Sequence, residues 1–232
     1  MIILPINIEI FFLFDALAKA VIYVILKEIL NHIEGGPMDF LELNKKNRSY
    51  RNYDAAYAVT EEQLKKLVEL TRFCPSSVNM QPFKYYLSCD PETNGRIQPL
   101  TKWARALQPM EIPKPGHYPT AFIVICYDET IGPGVERFWK DVGIVAQTIV
   151  LGASEMDLGG CMIGNFSPAK ISAALELPAT LRPVLIIAIG KPKETIVLLD
   201  APAGSSLNYY RDEQDVHYVP KRMLSELLIN KR

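Results

Sequence analysis

The chain has 232 residues, of which 49% are hydrophobic and 22% charged, a composition typical of a globular domain whose core needs no metal ion or disulfide to fold. Its 25 basic and 26 acidic side chains give a formal charge of -1, so the overall charge does not favour binding to nucleic acid or to an anionic membrane. The four cysteines form no C-x-x-C pair, which favours buried, reduced thiols in a cytoplasmic protein over a zinc site or a disulfide framework.

The first 37 residues are apolar and differ from the rest of the chain. Charged residues such as Glu9, Asp15 and Lys19 interrupt this segment, so no uncharged run approaches the roughly 18 residues that a membrane-spanning helix needs. A signal peptide is disfavoured because no basic region precedes the apolar part. Three interpretations stay open: a helix on the core or on a partner subunit, an interfacial membrane anchor, or translated sequence upstream of a true start at Met38. We expect an appendage at residues 1–37 and one folded domain at residues 38–232.

A helical pattern begins at Met38 and leads into the segment Asn47-Arg48-Ser49-Tyr50-Arg51. Two guanidinium groups flank a hydroxyl group here within four residues, a combination that suits phosphate oxygens. The alternative is a solvated basic helix end, where cations interact favourably with the helix dipole.

The next helix is predicted to start at a capping box, Thr60-Glu61-Glu62-Gln63, and to run to about Phe73. It leads into the loop at residues 74–83, where two prolines exclude a continuous helix. Side chains in this loop offer more hydrogen-bonding groups than its own backbone needs. The segment is therefore either a binding loop or a polar turn.

Three apolar runs predict strands, at residues 83–88, 121–127 and 183–190. Between the first two, residues 90–118 are rich in proline and are predicted to be an irregular cover over a site or a partner-facing excursion. A long helix is expected at residues 136–158, followed by a short strand that ends at Gly164-Asn165. This dipeptide is either a turn or a place where a flat ligand approaches the backbone. The tail at residues 220–228 is predicted to be a short amphipathic helix.

In their order along the chain, these segments resemble the FMN-dependent nitroreductase family. The resemblance covers residues 38–232 and rests on N-R-S-Y-R at 47–51, P-S-S-V-N-M-Q-P-F at 75–83, the glycine-containing stretch from D-V-G-I-V-A-Q to C-M-I-G-N-F at 141–166, and G-K-P at 190–192 with P-K-R at 220–222. It implies an α+β fold with a central, mostly antiparallel sheet flanked by helices. It also implies an intertwined homodimer with FMN at the subunit interface.

The resemblance also implies a set of cofactor-binding residues, which are Arg48, Ser49, Arg51, Pro75, Ser76, Ser77, Asn79, Gln81, Met162, Ile163, Gly164, Asn165, Lys221 and Arg222. The first two and the last two would hold the FMN phosphate, and Arg51 would reach the pyrimidine edge of the flavin. Backbone N–H groups around residues 164 and 165 would face flavin N5 and O4, and the loop residues would line the flavin from the partner subunit. The family usually has arginine where this chain has Asn47.

The activity implied is transfer of hydride from NADH or NADPH, through flavin N5, to a nitroaromatic, a quinone or a similar acceptor in ping-pong order. The protein then supplies binding, orientation and electrostatics, with no metal and no protein nucleophile. Two alternatives stay open. One keeps the fold but uses the flavin for dehalogenation or flavin fragmentation, and the other is a noncatalytic flavin-binding interaction protein.

Overall fold

A computed structural model gives the fold of residues 39–107, 109–132 and 134–230. The apolar segment at residues 1–37 lies outside the described residues, so its role stays a prediction. No helix in the described ranges is long and apolar enough to span a membrane. The helices are α1 (Phe40–Lys46), α2 (Glu61–Thr71), α3 (Pro91–Ile97), α4 (Trp139–Glu155), α5 (Pro168–Ala174) and α6 (Leu224–Leu227). The strands are β1 (Phe83–Ser88), β2 (Ala121–Asp128), β3 (Gly159–Ile163), β4 (Leu181–Gly190), β5 (Ile196–Ala201), β6 (Tyr210–Arg211) and β7 (His217–Arg222).

The main sheet has four antiparallel strands in the order β1-β2-β4-β3. All of residues 121–127 in β2 are buried, as the apolar run predicted, because this strand is covered on both faces. Alternate residues of β2 divide between two cores. Ile123 and Ile125 pack with residues of α2 and α4, whereas Phe122 and Val124 pack with residues of α3 and α5. The expected α+β fold, a mostly antiparallel sheet flanked by helices, is confirmed.

Helix α2 begins at the predicted capping box. The Thr60 hydroxyl accepts a hydrogen bond from the Gln63 N–H at 3.2 Å, and the Gln63 side chain accepts one from the Thr60 N–H at 2.9 Å. The buried face of α2 packs on α4, where a Cβ added to Gly152 would lie 3.1 Å from Leu67 Cδ2. Glycine therefore lets the two helices approach closely. The loop that follows α2 consequently begins close to α4.

Part of the segment predicted to be irregular is helical, because α3 spans Pro91–Ile97. The Asp90 carboxylate accepts the Thr93 N–H at 2.7 Å, and Pro91 occupies the first turn, where its missing N–H costs nothing. The prediction counted the prolines of residues 90–118 as breakers of structure, although this one favours a helix start.

The C-terminal part differs more from the prediction, since residues 220–222 belong to β7 and only Leu224–Leu227 is helical. Strand β7 lies between β5 and β6 in a second, three-stranded sheet that the sequence did not reveal. Pro220 is tolerated because β6 pairs only with the beginning of β7, so at Pro220 the strand has a single neighbour.

Candidate functional site

The segment at residues 48–54 lies between β3 and the chain that leaves β4. Ser49 forms a parallel bridge with Gly160, and Tyr53 forms an antiparallel bridge with Pro192. On the β3 side the Tyr50 N–H donates to Gly160 O at 3.2 Å. The buried Tyr53 hydroxyl donates to Tyr50 O at 2.6 Å from the core side. Backbone contacts on two sides therefore fix the segment that carries the predicted phosphate-binding residues.

Two cavities open on this segment and share one wall, formed by Arg48, Ser49 and Lys221. The first cavity has a volume of about 260 Å³ and is also lined by Asn44, Asn47, Gln147, Val150, Gly160 and Met162. The second cavity has a volume of about 220 Å³ and is also lined by Arg51, Ile196, Tyr209, His217 and Val219. The fold thus brings residues from distant parts of the chain to one place.

The shared wall is strongly cationic. Among the described residues, Arg48, Arg51 and Lys221 have no carboxylate within salt-bridge distance. Arg48 donates to the backbone oxygen of Asn44 at 2.7 Å, but its buried Nε has no hydrogen-bond partner. Burial lowers the pKa of Arg48, an effect that the nearby Tyr50 opposes. Because arginine stays protonated at any physiological pH, the arrangement favours an anion.

Two aromatic residues of the second cavity were missed by the sequence analysis. Tyr209 lies beneath Arg51, whose guanidinium carbon is 5.5 Å from the ring centroid, and it packs edge-on against His217. The His217 side chain is 2% exposed, and its Nδ1 has no hydrogen-bond partner. Burial, with the charges of Arg51 and Arg211, lowers the pKa of His217 to about 4, so the ring is neutral at pH 7. No sequence motif marks either residue.

A buried ion pair lies behind the same segment. One carboxylate oxygen of Glu194 accepts the backbone N–H groups of Arg51 and Asn52, the latter at 3.1 Å, and the other oxygen pairs with Arg211. Arg211 also pairs with Asp215 at 2.9 Å, and Asp215 pairs with Lys114 at 2.8 Å. These four alternating charges balance one another without involving the cations of the shared wall.

The loop at residues 75–83 is held by Asp141, in the first turn of α4. The Ser76 and Ser77 hydroxyls donate to this carboxylate at 2.8 and 2.7 Å, and the Ser77 N–H donates at 2.6 Å. Burial raises the pKa of Asp141, but the hydrogen bonds from Ser77 and Ser76 outweigh burial and leave the pKa below its usual value. The hydroxyl groups of both serines, which were predicted to face a flavin, thus donate to Asp141 of the same chain.

This loop also has an unusual backbone, with positive φ at Val78, Asn79 and Gln81, at 49°, 55° and 49°. A β-branched residue in the left-handed region is strained, and such strain concentrates at functional sites. Beneath the loop, Pro75, Ser76 and Gln81 line a cavity of about 140 Å³. Within one chain this cavity shares no lining residue with the two cavities of the cationic wall.

Two thiols in the core are not poised for nucleophilic chemistry. Cys126 and Cys161 are buried, whereas Cys74 and Cys89 are only partly buried, so the expectation that the thiols are buried holds for two of the four. Burial raises the pKa of Cys126 to about 12 and that of Cys161 to about 11. Neither is a thiolate at neutral pH. Among the residues with a described position, no cluster of three or more His, Cys, Asp or Glu side chains is arranged to hold a metal ion.

Comparison with known proteins places this geometry in a family. The model of the Nitroreductase family matches residues 45–191, well over half of the chain. The chain belongs to this family. An oxygen-insensitive NADPH nitroreductase of Helicobacter pylori is 25% identical in an alignment 174 positions long, which covers 60% of this chain and 83% of that protein. The resemblance inferred from the sequence motifs is therefore confirmed.

Two further relatives show how far the similarity extends. The crystal structure of an FMN-dependent nitroreductase from Clostridium difficile is similar at 25% identity and a TM-score of 0.53, covering 67% of this chain and 88% of that one. The Bacillus subtilis protein YdgI is 37% identical over 65 residues, which are 28% of this chain and only 31% of YdgI. The chain thus spans most of the first two relatives, and less than a third of YdgI is matched.

In this nitroreductase-family chain, the four predicted residues 162–165, at the end of β3, differ from one another in their surroundings. Met162 lines the first cavity, and Ile163 is buried in the core, so that only its backbone can face a ligand. Gly164 and Asn165 are exposed just beyond the strand, where Asn165 O accepts the Lys102 N–H at 3.0 Å.

Arg222 lies apart from the other predicted phosphate-binding residues. It lines neither cavity of the cationic wall and instead contacts Glu226 at 3.5 Å. The structure therefore brings together Arg48, Ser49, Met162 and Lys221, and places Arg51 on the adjoining cavity.

Proposed function

We propose that this chain is an FMN-dependent oxidoreductase that uses NADH or NADPH to reduce a nitroaromatic, a quinone or a similar acceptor. The observation that carries the proposal is the cationic wall, in which Arg48 and Lys221 flank Ser49 without carboxylate partners among the described residues. The relatives support it, since one is named an FMN-dependent nitroreductase and another an NADPH nitroreductase.

The residues present fit the phosphate of FMN. Arg48, Ser49 and Lys221 would hold it, because a phosphate oxygen can accept from guanidinium, hydroxyl and ammonium donors at once. The buried Nε–H of Arg48 has no acceptor among the described residues. A bound anion nearby would help to compensate the cost of this unpaired donor. A phosphate here would account for the two cations of the wall, and for Arg51 beside them, which have no acidic partner among the described residues.

The remaining residues would orient and stabilise the flavin. The chemistry that FMN supplies when bound is acceptance of hydride from NAD(P)H and its transfer to the acceptor, in ping-pong order. Arg51 lies next to the phosphate-binding residues and would place its positive charge near the ring edge where negative charge develops. The backbone N–H groups of Gly164 and Asn165 would donate to the other edge. No side-chain acid or base is needed for this arrangement.

We further propose a homodimer in which the loop at residues 75–83 of one subunit lines the cofactor of the other. Phe73 and Val78, at one end of the loop and within it, are 78% and 70% exposed, and Trp139 and Ile144 of α4 are exposed as well. Such a group of exposed apolar side chains favours a protein interface. The loop and the cationic wall also line separate cavities within one chain, as expected if they meet only between subunits.

Purification of the protein and its absorbance spectrum test the cofactor first. We expect copurifying FMN, and we expect Arg48→Ala combined with Lys221→Ala to release it on dialysis, because both cations of the shared wall are lost. The exposed Arg182, outside both cavities, provides the control variant Arg182→Ala, which should keep its flavin. Undiminished flavin in the double variant would contradict the assignment.

Turnover then tests the activity. NADH or NADPH should bleach the flavin, and a nitroarene or a quinone should restore its colour. Steady-state rates across nitroarenes, quinones, halogenated aromatics and oxygen separate the proposed activity from other flavin chemistry. A yellow protein that neither nucleotide bleaches would favour the noncatalytic flavin-binding alternative.

A further inference from the structure

We propose that Glu194, held by Arg211, is a positioning residue that sets the anion affinity of the cationic wall. Neither residue lines a cavity of that wall, and neither belongs to the motifs of the sequence analysis. The inference rests on the proposed function to the extent that it takes the bound anion to be the FMN phosphate.

The first argument is the contact that Glu194 makes. Its carboxylate accepts two successive backbone N–H groups, those of Arg51 and Asn52, directly after the residues that would hold the phosphate. The neighbouring backbone continues the attachment, because the Lys193 N–H donates to Asn52 O at 2.9 Å. One side chain thus ties the C-terminal part of the chain to the binding segment and, together with the backbone bridges at Gly160 and Pro192, holds Ser49 and Arg51 in place.

The second argument is burial. The side chains of Glu194 and Arg211 are 1% and 0% exposed, so the pair is shielded from water and from salt. Removing one partner of such an ion pair strongly destabilises the protein, because the other charge is left buried and unpaired. Arg211 therefore holds the Glu194 carboxylate in place beside the backbone N–H groups that it accepts.

The third argument is charge. A lone carboxylate this close to Arg51 would partly neutralise the cationic wall and weaken its attraction for an anion. Arg211 cancels that charge, and the Asp215–Lys114 pair that extends the network is itself neutral. The network can thus hold the binding segment in place while Arg48 and Lys221 keep their full attraction for phosphate.

Glu194→Gln and Arg211→Met test the proposal, with FMN and riboflavin as probes of the same folded protein. Riboflavin lacks the phosphate, so a defect in positioning the wall should raise the Kd for FMN by about tenfold, as positioning partners of metal ligands do. The Kd for riboflavin should rise less, because only the contact of Arg51 with the flavin ring is affected. Arg211→Met should weaken FMN binding more than Glu194→Gln, because it leaves an uncompensated carboxylate beside the wall.

The double variant Glu194→Gln/Arg211→Met guards against failure of the single variants to fold, since it leaves no unpaired buried charge. It should bind FMN better than Arg211→Met alone. The effects of the two substitutions on the binding free energy would then not add, which is the expected sign of a coupled pair. Asp54→Asn is the matched control, because Asp54 also links the two segments, through Lys193 at 3.9 Å, but at the surface. It should leave both affinities unchanged.

An unchanged ratio of FMN to riboflavin affinity in Glu194→Gln and in the double variant would overturn the inference. If the wild-type protein binds no FMN, the proposed cofactor is wrong, and inorganic phosphate becomes the probe. Phosphate should then raise the Tm of the wild-type protein more than that of the double variant. An equal rise in both proteins would again overturn the role of Glu194.

Discussion

Replacement of Asp141 by asparagine should destabilise the protein through the loop at residues 75–83. Asp141 is 3% exposed and accepts three hydrogen bonds from Ser76 and Ser77. An asparagine oxygen in the place of Oδ2 still accepts from the Ser76 hydroxyl and the Ser77 N–H, and the NH₂ group then faces the Ser77 hydroxyl, which can rotate and accept. The contacts can therefore be kept, but none of them is any longer made to a charged group.

Hydrogen bonds to a charged group are worth about 1.5–3 kcal/mol each and neutral ones about 0.5–1.5 kcal/mol, so weakening all three bonds predicts a loss of roughly 2–4 kcal/mol for Asp141→Asn. For a chain of this size that corresponds to a fall in Tm of about 10 °C. Thermal unfolding followed by circular dichroism gives the value directly. Loss of the carboxylate also loosens the loop, so the homodimer proposed above should weaken in the same variant.

Asp90→Asn is the matched control for this substitution. Asp90 caps α3 from an exposed position, and asparagine is an equally good N-cap, so its Tm should stay close to that of the wild type. If Asp141→Asn had the same Tm as Asp90→Asn, the reasoning would be refuted, since the three short hydrogen bonds would then contribute nothing net to stability.

Three further outcomes follow from single contacts. Because the folded pKa of Asp141 is lowered, its contribution is complete above the unfolded value of about 3.9 and is lost as the pH falls through the folded value. The gap in unfolding free energy between wild type and Asp141→Asn should thus be constant from neutral pH to about pH 5 and close in stronger acid; a gap that widens in acid would contradict this. Thr60→Ala removes the cap of α2 and should cost about 1 kcal/mol in urea unfolding. Gly190→Ala would place a Cβ 2.7 Å from Cδ1 of the buried Tyr53 ring and should cost about 1–3 kcal/mol, whereas Gly143→Ala, with open space around it, should not destabilise.

The sequence predicted elements whose signal is local. The apolar run of β2 and the capping box of α2 each lie within a few consecutive residues, and both are confirmed. Strand β7 was missed because residues 220–228 have the apolar spacing of a short helix. Nothing within them indicates that part of this segment pairs with β5. Tertiary pairing decided the conformation there.

The candidate site shows the same division. Four residues that the family resemblance implied do line neighbouring cavities, namely Arg48, Ser49, Arg51 and Lys221. The residues that hold them in place were not predicted. Asp141 is 64 positions from Ser77, and Glu194 is 143 from Arg51, and an isolated acidic residue has no pattern that reveals its distant partner.

The segment at residues 48–54 has a consequence for the order of events during synthesis. It hydrogen-bonds on one side to Gly160 and on the other to residues 191–194, and the ammonium group that completes the cationic wall comes from Lys221. A nascent chain therefore carries its binding arginines long before the surroundings that orient them have left the ribosome. Non-local contacts of this kind form late in folding. Binding of the proposed anion to this wall would thus come among the last steps of folding, and a chain truncated before β7 would lack Lys221 and with it the complete wall.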